Sequence, residues 1–225
     1  MPDLIRKEVE ESSNGDRKRV AVGVRNQLII AWLTFLAWRS ENLRKCRIGS
    51  RKRGANLFKA RVPARLLSKE AEWVKDAVKA NPRKEFWQFS FAGTETRSGY
   101  PVYSRLPEQL VPLLKEYLEQ HRPLLVGARD PGTLFVNDVG RPFDRRGFTD
   151  LVGSLTLRYA RQRVTPDMFR HAFVMAWLTS YANGYLTLSN AKSGRSKPAR
   201  RTTGRHAQRT SSRTQNSLAR APQRL

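Results

Sequence analysis

The first long apolar stretch of the chain covers residues 27–38 and contains no charged residue. Together with its neighbours it predicts a helix over about residues 20–37. Arg39 follows this helix directly, and a shorter helix or turn is predicted over residues 42–46. The pattern therefore places an arginine at the edge of a buried helix.

A second apolar stretch, residues 164–178, repeats this arrangement with Arg170 near its start. Apolar residues cover most of the circumference of the predicted helix, so burial is expected. A buried guanidinium requires a negative partner, and Arg39 and Arg170 together could clamp one phosphate. Each could instead pair with a carboxylate or with the carbonyl groups at a helix end.

Alternating patterns predict strands over residues 56–62, 85–91 and 100–104, with Gly93 and Ser98-Gly99 marking turns. Further helices are predicted over residues 68–80, 107–120 and 146–162, and a short extended segment over residues 133–137. The predicted fold class is α+β, mainly helical with a small antiparallel sheet.

Charge narrows the choice of partners. The chain has 43 Lys and Arg against 19 Asp and Glu, for a net charge of +24, which favours nucleic acid over an anionic membrane surface. No apolar run is long and clean enough to span a bilayer, and the N-terminus lacks a signal-peptide pattern. Cys46 is the single cysteine, so an intrachain disulfide framework and a Cys-rich zinc site are excluded. We expect a cytoplasmic location and a core role for Cys46.

Three segments are predicted. Residues 1–19 are polar and are expected to form a flexible arm. Residues 20–190 are expected to form the folded domain, and residues 191–225, with ten Lys and Arg and no acidic or aromatic residue, a disordered basic tail. The first 190 residues still carry a net charge of +14, so the basic character does not depend on the tail.

The order of motifs resembles the catalytic domain of the tyrosine recombinases, the phage-integrase family, over about residues 20–190. The Arg39 segment resembles the first arginine box, and residues 95–99 resemble the turn that presents a catalytic lysine. Residues 106–118 resemble the helix after that turn, and residues 134–140 resemble the family's "LF.N..G" turn. Residues 164–171 resemble its second arginine box. Residues 185–189 resemble the lead-in to the next helix.

The resemblance implies a tyrosine-recombinase catalytic-domain fold and DNA strand breaking and rejoining on double-stranded DNA. In that family a tyrosine attacks the scissile phosphate, two arginines stabilise the transition state, and a lysine and a histidine transfer protons. It implies no cofactor, no metal and no small-molecule substrate, and it allows a homo-oligomer on the DNA. The implied catalytic residues are Arg39, Arg97, Asp167, Arg170 and His171.

Several of these positions depart from the family pattern. Arg97 stands at the lysine position, where an arginine keeps the charge but is a poor proton donor. Asp167 stands in place of a histidine; it could pair with Arg170, or it could be an ordinary acidic residue at a helix start. Asn42 replaces a frequent acidic residue, and His171 is either functional or a packed helix residue.

The chain has no tyrosine after Tyr185, and Tyr181 and Tyr185 lie too close to Arg170 to match the family's nucleophile spacing. Both are expected to be packing residues. A frameshift near residue 190 and a genuine basic tail are the two alternatives for the segment that follows. Without the family's next helix, the face containing Trp177 and Leu178 should be exposed.

Three functions remain open: a DNA strand-breaking and rejoining enzyme, a non-catalytic DNA-binding remnant of a recombinase, and a basic RNA-associated protein. The sequence favours a recombinase- or integrase-like protein that acts on duplex DNA and is catalytically incomplete. Salt-sensitive duplex binding without cleavage would distinguish the remnant from the enzyme, and preference for structured RNA would favour the third.

Overall fold

The apolar run near residue 30 forms the long helix α2, Arg17–Phe35, in a computed structural model that describes residues 1–36 and 38–193 and the side chains as far as residue 180. Asp16 caps this helix by accepting hydrogen bonds from the backbone N–H groups of Lys18 and Arg19. Every residue from Gly23 to Leu33 is buried, so α2 supplies much of the core.

Eight other α-helices lie in the described part of the chain. They are α1 Pro2–Ser12, α3 Ser40–Lys45, α4 Ala64–Leu67, α5 Glu72–Ala80, α6 Val111–Glu116, α7 Arg122–Leu125, α8 Arg145–Ala160 and α9 Pro166–Ser193. Short 3-10 turns lie at Arg51–Arg53, Gly93–Glu95 and Glu108–Leu110. The predicted helix over residues 107–120 is divided: a π-helical turn, Tyr117–His121, joins α6 to α7. Pro123 lacks the N–H that a regular helix would need there.

A three-stranded antiparallel sheet completes the fold, in the order β1 Leu57–Arg61, β2 Glu85–Phe91 and β3 Val102–Arg105. Leu57 pairs with Phe89, and Phe89 pairs with Ser104. One face of β2 packs on the core through Phe89 and Phe91. The predicted fold class, α+β and mainly helical with a small antiparallel sheet, is confirmed at this level.

The expectation of a flexible arm at residues 1–19 is wrong, because residues 2–12 form α1 and pack against α2. Ile5 is buried, and Val9 lies so close to Gly23 that a Cβ there would approach within 2.5 Å. Arg6 also pairs with Glu116 at 2.7 Å. The composition of the segment is polar overall, but its apolar residues at positions 5 and 9 lie one helical turn apart and supply contacts to the rest of the fold.

The expectation that the Arg170 helix is buried is also wrong. Phe169 packs against the core, but residues 171–180 are exposed. Trp177 is 59% exposed and Leu178 is 46% exposed, so the exposure predicted for their face is confirmed. A helix that is apolar on all sides needs neighbours on all sides, and among residues 166–180 it is the first turn that contacts the core.

The chain divides into two units, residues 1–182 and 183–225, and the fold above belongs to the first. The backbone of residues 183–193 is helical. The predicted disordered tail lies outside the described residues from position 194 onward, and the side chains of Tyr181 and Tyr185 also lie outside them.

Candidate functional site

Arg39 is positioned by the aromatic residue that precedes it. The Trp38 ring lies between three aromatic rings, with centroids 5.2 Å from Trp32, 4.4 Å from Phe89 and 5.1 Å from Phe91, each in an edge-to-face arrangement. Such contacts add to the burial of the rings themselves. Trp38 therefore fixes the end of the α2–α3 connection, and Arg39 occupies the N-cap position of α3.

The turn between β2 and β3 carries Arg97 and is held by Glu95. The Glu95 carboxylate accepts hydrogen bonds from the Ala92 backbone N–H at 2.9 Å, from Asn56 Nδ2 at 3.2 Å and from Arg47 Nη2 at 2.7 Å. Asn56 Oδ1 in turn accepts from the Arg47 backbone N–H at 3.0 Å. This network ties the turn to the segment that follows α3.

The pKa of the Glu95 carboxyl is consistent with this hydrogen-bond network. Partial burial by itself would raise the pKa of the Glu95 carboxyl, but the hydrogen bonds from Ala92, Asn56 and Arg47 outweigh it and hold the pKa below its ordinary value. The carboxylate is therefore ionised at neutral pH and keeps its acceptor role.

The far side of the same turn is fixed by a close backbone approach. The Thr96 hydroxyl lies 2.7 Å from the Tyr100 carbonyl oxygen and 3.1 Å from that of Gly93, and its one proton can be donated to either. A Cβ at Gly93 would lie 2.3 Å from the Gly99 carbonyl oxygen, so no larger residue fits without a shift of backbone. The third strand begins at Val102 rather than at the predicted residue 100, since this turn occupies the positions before it.

These elements surround two adjoining cavities that we call the arginine cleft. The larger, of about 720 Å³, is lined by Arg39, Arg97 and Asp167 among others. The smaller, of about 260 Å³, is lined by Arg39, Arg97 and Arg170. The structure thus brings four of the five residues implied by the resemblance to one region, from three separate parts of the chain.

Three of the arginines that line the cleft, Arg39, Arg97 and Arg170, have no partner in the part of the chain that the structure describes. Within residues 1–36 and 38–180, no side chain or backbone group forms a hydrogen bond or an ion pair with the guanidinium of Arg39, Arg97 or Arg170. Asp167 also lines the cleft without forming an ion pair to a residue of that region. Unpaired guanidinium groups that share a cavity are suited to binding an anion such as a phosphate.

The fifth implied residue, His171, lies apart from the cleft, whereas Asn42, a departure from the family pattern, belongs to it. His171 is exposed on α9 and is not among the residues that line either cavity. Asn42, on α3, lines both cavities beside Arg39. Asp167 is the second residue of α9, where a negative charge also interacts favourably with the helix dipole.

Further basic residues of the cleft were missed from the sequence: Arg44, Lys45, Arg47 and Arg145. Lys45 pairs with Glu41 at 2.6 Å, and Arg47 pairs with Glu95. The Arg44 Nε–H is buried and has no hydrogen-bond acceptor among the residues described. The signal that could have identified Arg44 is its place on the short helix that begins directly after Arg39.

Two arginines outside the cleft are buried, and each nitrogen of their guanidinium groups donates a hydrogen bond. Arg25 on α2 is 1% exposed and donates to Asp138 at 2.7 Å and to the Val136 carbonyl at 3.0 Å. Arg122 binds Asp130 through both terminal nitrogens, at 2.6 and 2.5 Å, and holds the pKa of that carboxyl below its usual range. Neither was predicted, because their partners lie on distant or irregular segments.

The described residues do not meet the requirements of a thiol nucleophile, a metal site or a membrane span. Cys46 is a buried core residue, as expected, and burial raises the pKa of its thiol, which disfavours the nucleophilic thiolate. Within the described residues there is no group of three or more His, Cys, Asp and Glu side chains placed to hold a metal ion. Nor does the described part contain a helix of sufficient length and apolar character to cross a membrane.

No protein-family model, no curated protein and no solved structure matches this chain.

Proposed function

We propose that this chain binds double-stranded DNA and that the arginine cleft holds a phosphate of the DNA backbone. The observation that carries the proposal is the convergence of Arg39, Arg97 and Arg170 on one cleft, where none of them has a partner among the described residues. A phosphate can accept several charge-assisted hydrogen bonds at once, which relieves the repulsion between the three cations. The net charge of +24 adds sequence-independent attraction to the duplex.

The order of motifs supports a recombinase- or integrase-like origin, with the tyrosine-recombinase catalytic domain as the proposed fold family. In that interpretation the cleft is the phosphate-binding part of a DNA integration and recombination site. Arg97 can stabilise charge there but is a poor proton donor. Residues 186–225 contain no tyrosine. We therefore propose binding without strand cleavage as the present activity of this chain.

The first test is an anisotropy titration of a labelled duplex with the full chain and with the variant Arg39→Ala/Arg97→Ala/Arg170→Ala. A matched control replaces three exposed arginines that lie outside the cleft: Arg65, Arg129 and Arg141. The cleft variant should bind the duplex at least about tenfold more weakly than the control, because it loses charge-assisted contacts to phosphate as well as net charge. Equal weakening of the two variants would overturn the proposed clamp.

A second measurement separates binding from chemistry. A nicked duplex traps a covalent phosphotyrosyl adduct if a tyrosine attacks the phosphate, and we expect no adduct with this chain. Adduct formation would make it a strand-breaking enzyme. Stronger displacement of the labelled duplex by structured RNA than by the same concentration of unlabelled duplex would support an RNA-associated protein instead.

A further inference from the structure

A second basic surface lies in a groove at the other end of the sheet. The groove has a volume of about 660 Å³ and lies between α6, the connection from α5 to β2, and the paired ends of β1 and β2. None of its lining residues belongs to the arginine cleft. Any ligand of this groove is therefore held by a separate set of side chains.

The groove is strongly positive. Two carboxylates, Glu85 and Glu108, face six basic side chains: Lys59, Arg61, Arg83, Lys84, Arg105 and Lys115. Arg105 is already paired with Glu70 at 2.6 Å. In the part of the chain that the structure describes, Arg61, Arg83 and Lys115 form no ion pair. The groove thus retains cations that remain available to an anionic ligand.

Aromatic rings alternate with these cations. Lys59 lies 5.1 Å from the Trp87 ring, and Lys84 lies 5.5 Å from the Phe86 ring. Trp73 contacts Phe86 edge-to-face at 5.9 Å and is 43% exposed. A large, partly exposed indole among unpaired cations can stack on a planar base while the cations hold the adjoining phosphates.

We propose that this groove binds a segment of single-stranded nucleic acid, with a base stacked on Trp73 and phosphates held by Arg61, Arg83 and Lys84. A base within a duplex is stacked on both faces by its neighbours and cannot offer a face to an indole, which favours a single strand. An acidic peptide would match the charge of the groove but would gain nothing from the aromatic ring. This inference is independent of the arginine cleft and of the proposed function.

The test is a titration of a labelled oligo-dT of about 12 nucleotides with the full chain. The groove variant Arg61→Ala/Arg83→Ala/Lys84→Ala should weaken this binding at least about tenfold, while the control Arg65→Ala/Arg129→Ala/Arg141→Ala should change it by less than about threefold. Equal weakening by the two variants would overturn the proposal, because charge alone would then account for the binding.

Substitutions of Trp73 test the proposed base stacking. Trp73→Ala should weaken oligo-dT binding at least about fivefold with an unchanged salt dependence, and Trp73→Phe should retain most of the affinity because a ring still stacks. Unchanged affinity in Trp73→Ala, or full displacement of oligo-dT by poly-glutamate, would overturn the base-stacking interpretation. If Trp73→Ala does not fold, the groove variant and the poly-glutamate competition decide alone.

The arginine-cleft variant distinguishes this proposal from the proposed function. Arg39→Ala/Arg97→Ala/Arg170→Ala should weaken oligo-dT binding less than the groove variant does, and should weaken duplex binding more than the groove variant does. Loss of oligo-dT binding in that variant, with retention in the groove variant, would place the single strand in the arginine cleft and would overturn the present inference.

Discussion

Two sets of arginines in this chain have opposite surroundings. Arg25 and Arg122 lie in the core, where carboxylates and backbone carbonyls occupy their donors. Arg39, Arg97 and Arg170 share an open cleft and have no partner in the described part of the chain. The residue type is the same, so only the surroundings separate a structural role from a ligand-binding role.

The two sets of arginines should differ in what they contribute to the free energy of unfolding. A buried guanidinium that has its partners stabilises the fold, and removing it leaves a cavity and unsatisfied acceptors. An unpaired guanidinium at an open cleft adds little to stability, and its repulsion from neighbouring cations is relieved only when an anion binds. Substitution in the first set should therefore destabilise the fold, and substitution in the second should weaken binding.

The largest effect is expected at Arg25. Arg25→Ala should lower the free energy of unfolding by about 3 kcal/mol, because it removes hydrogen bonds to Asp138 and Val136 and leaves a cavity beside the 5.2 Å contact with Phe143. Chemical denaturation monitored by circular dichroism measures this change. Arg39→Ala, as the matched control, should change stability by less than about 0.5 kcal/mol. Equal losses in the two variants would remove the distinction between the two sets.

A smaller effect is expected at Glu95, which connects the fold to the cleft. Glu95→Gln should cost about 1 kcal/mol at pH 7, because the amide has one acceptor oxygen and no charge, whereas both carboxylate oxygens accept from Arg47, Asn56 and Ala92. The folded-state pKa of Glu95 lies below its ordinary value, so its stabilisation is present above the unfolded pKa of about 4.3 and is lost as the pH falls through the folded value.

Denaturation curves at several pH values test this prediction. The stability difference between the unmodified chain and Glu95→Gln should shrink as the pH falls below about 4. Glu72→Gln, in an exposed pair with Lys75, is the control and should change stability by less than about 0.5 kcal/mol at any of these pH values. A difference for Glu95→Gln that does not depend on pH would contradict the assigned role of the carboxylate.

The smallest effect is expected at Asp167. Asp167→Asn removes an acidic charge that lines the cleft and forms no ion pair with the described residues, so duplex affinity should rise about two- to fivefold, while stability should fall by only about 0.3 kcal/mol. Asp3→Asn is a matched control, because Asp3 also follows a proline in the first turn of a helix. The control should lose similar stability without a change in affinity. An unchanged affinity in Asp167→Asn would leave the residue as an ordinary helix-start charge.

The sequence predicted the elements whose signal is local. The apolar run of α2, the alternation of β2 and the glycine-containing turn after it indicate their structures without reference to the rest of the chain. The motif order also named Arg39, Arg97 and Arg170, which the structure brings to one cleft.

The parts that the sequence did not reveal depend on contacts between distant segments. Docking of α1 requires Gly23 of α2, and the role of Glu95 requires Arg47 and Asn56 from before β1. The exposure of α9 depends on which neighbours are present, and an apolar pattern predicts burial wherever neighbours are assumed. Composition likewise shows that the chain is basic without showing which cations are already paired.

If Arg39, Arg97 and Arg170 hold a DNA phosphate, their loss must change the salt dependence of duplex binding. The logarithm of the association constant falls with the logarithm of salt concentration by about 0.9 for each phosphate that is neutralised. Arg39→Ala/Arg97→Ala/Arg170→Ala should bind more weakly than Arg65→Ala/Arg129→Ala/Arg141→Ala, with a slope that is shallower by about 0.9 or more. The same affinity and slope in both variants would contradict the account, because the cleft would then contribute no more than any other surface charge.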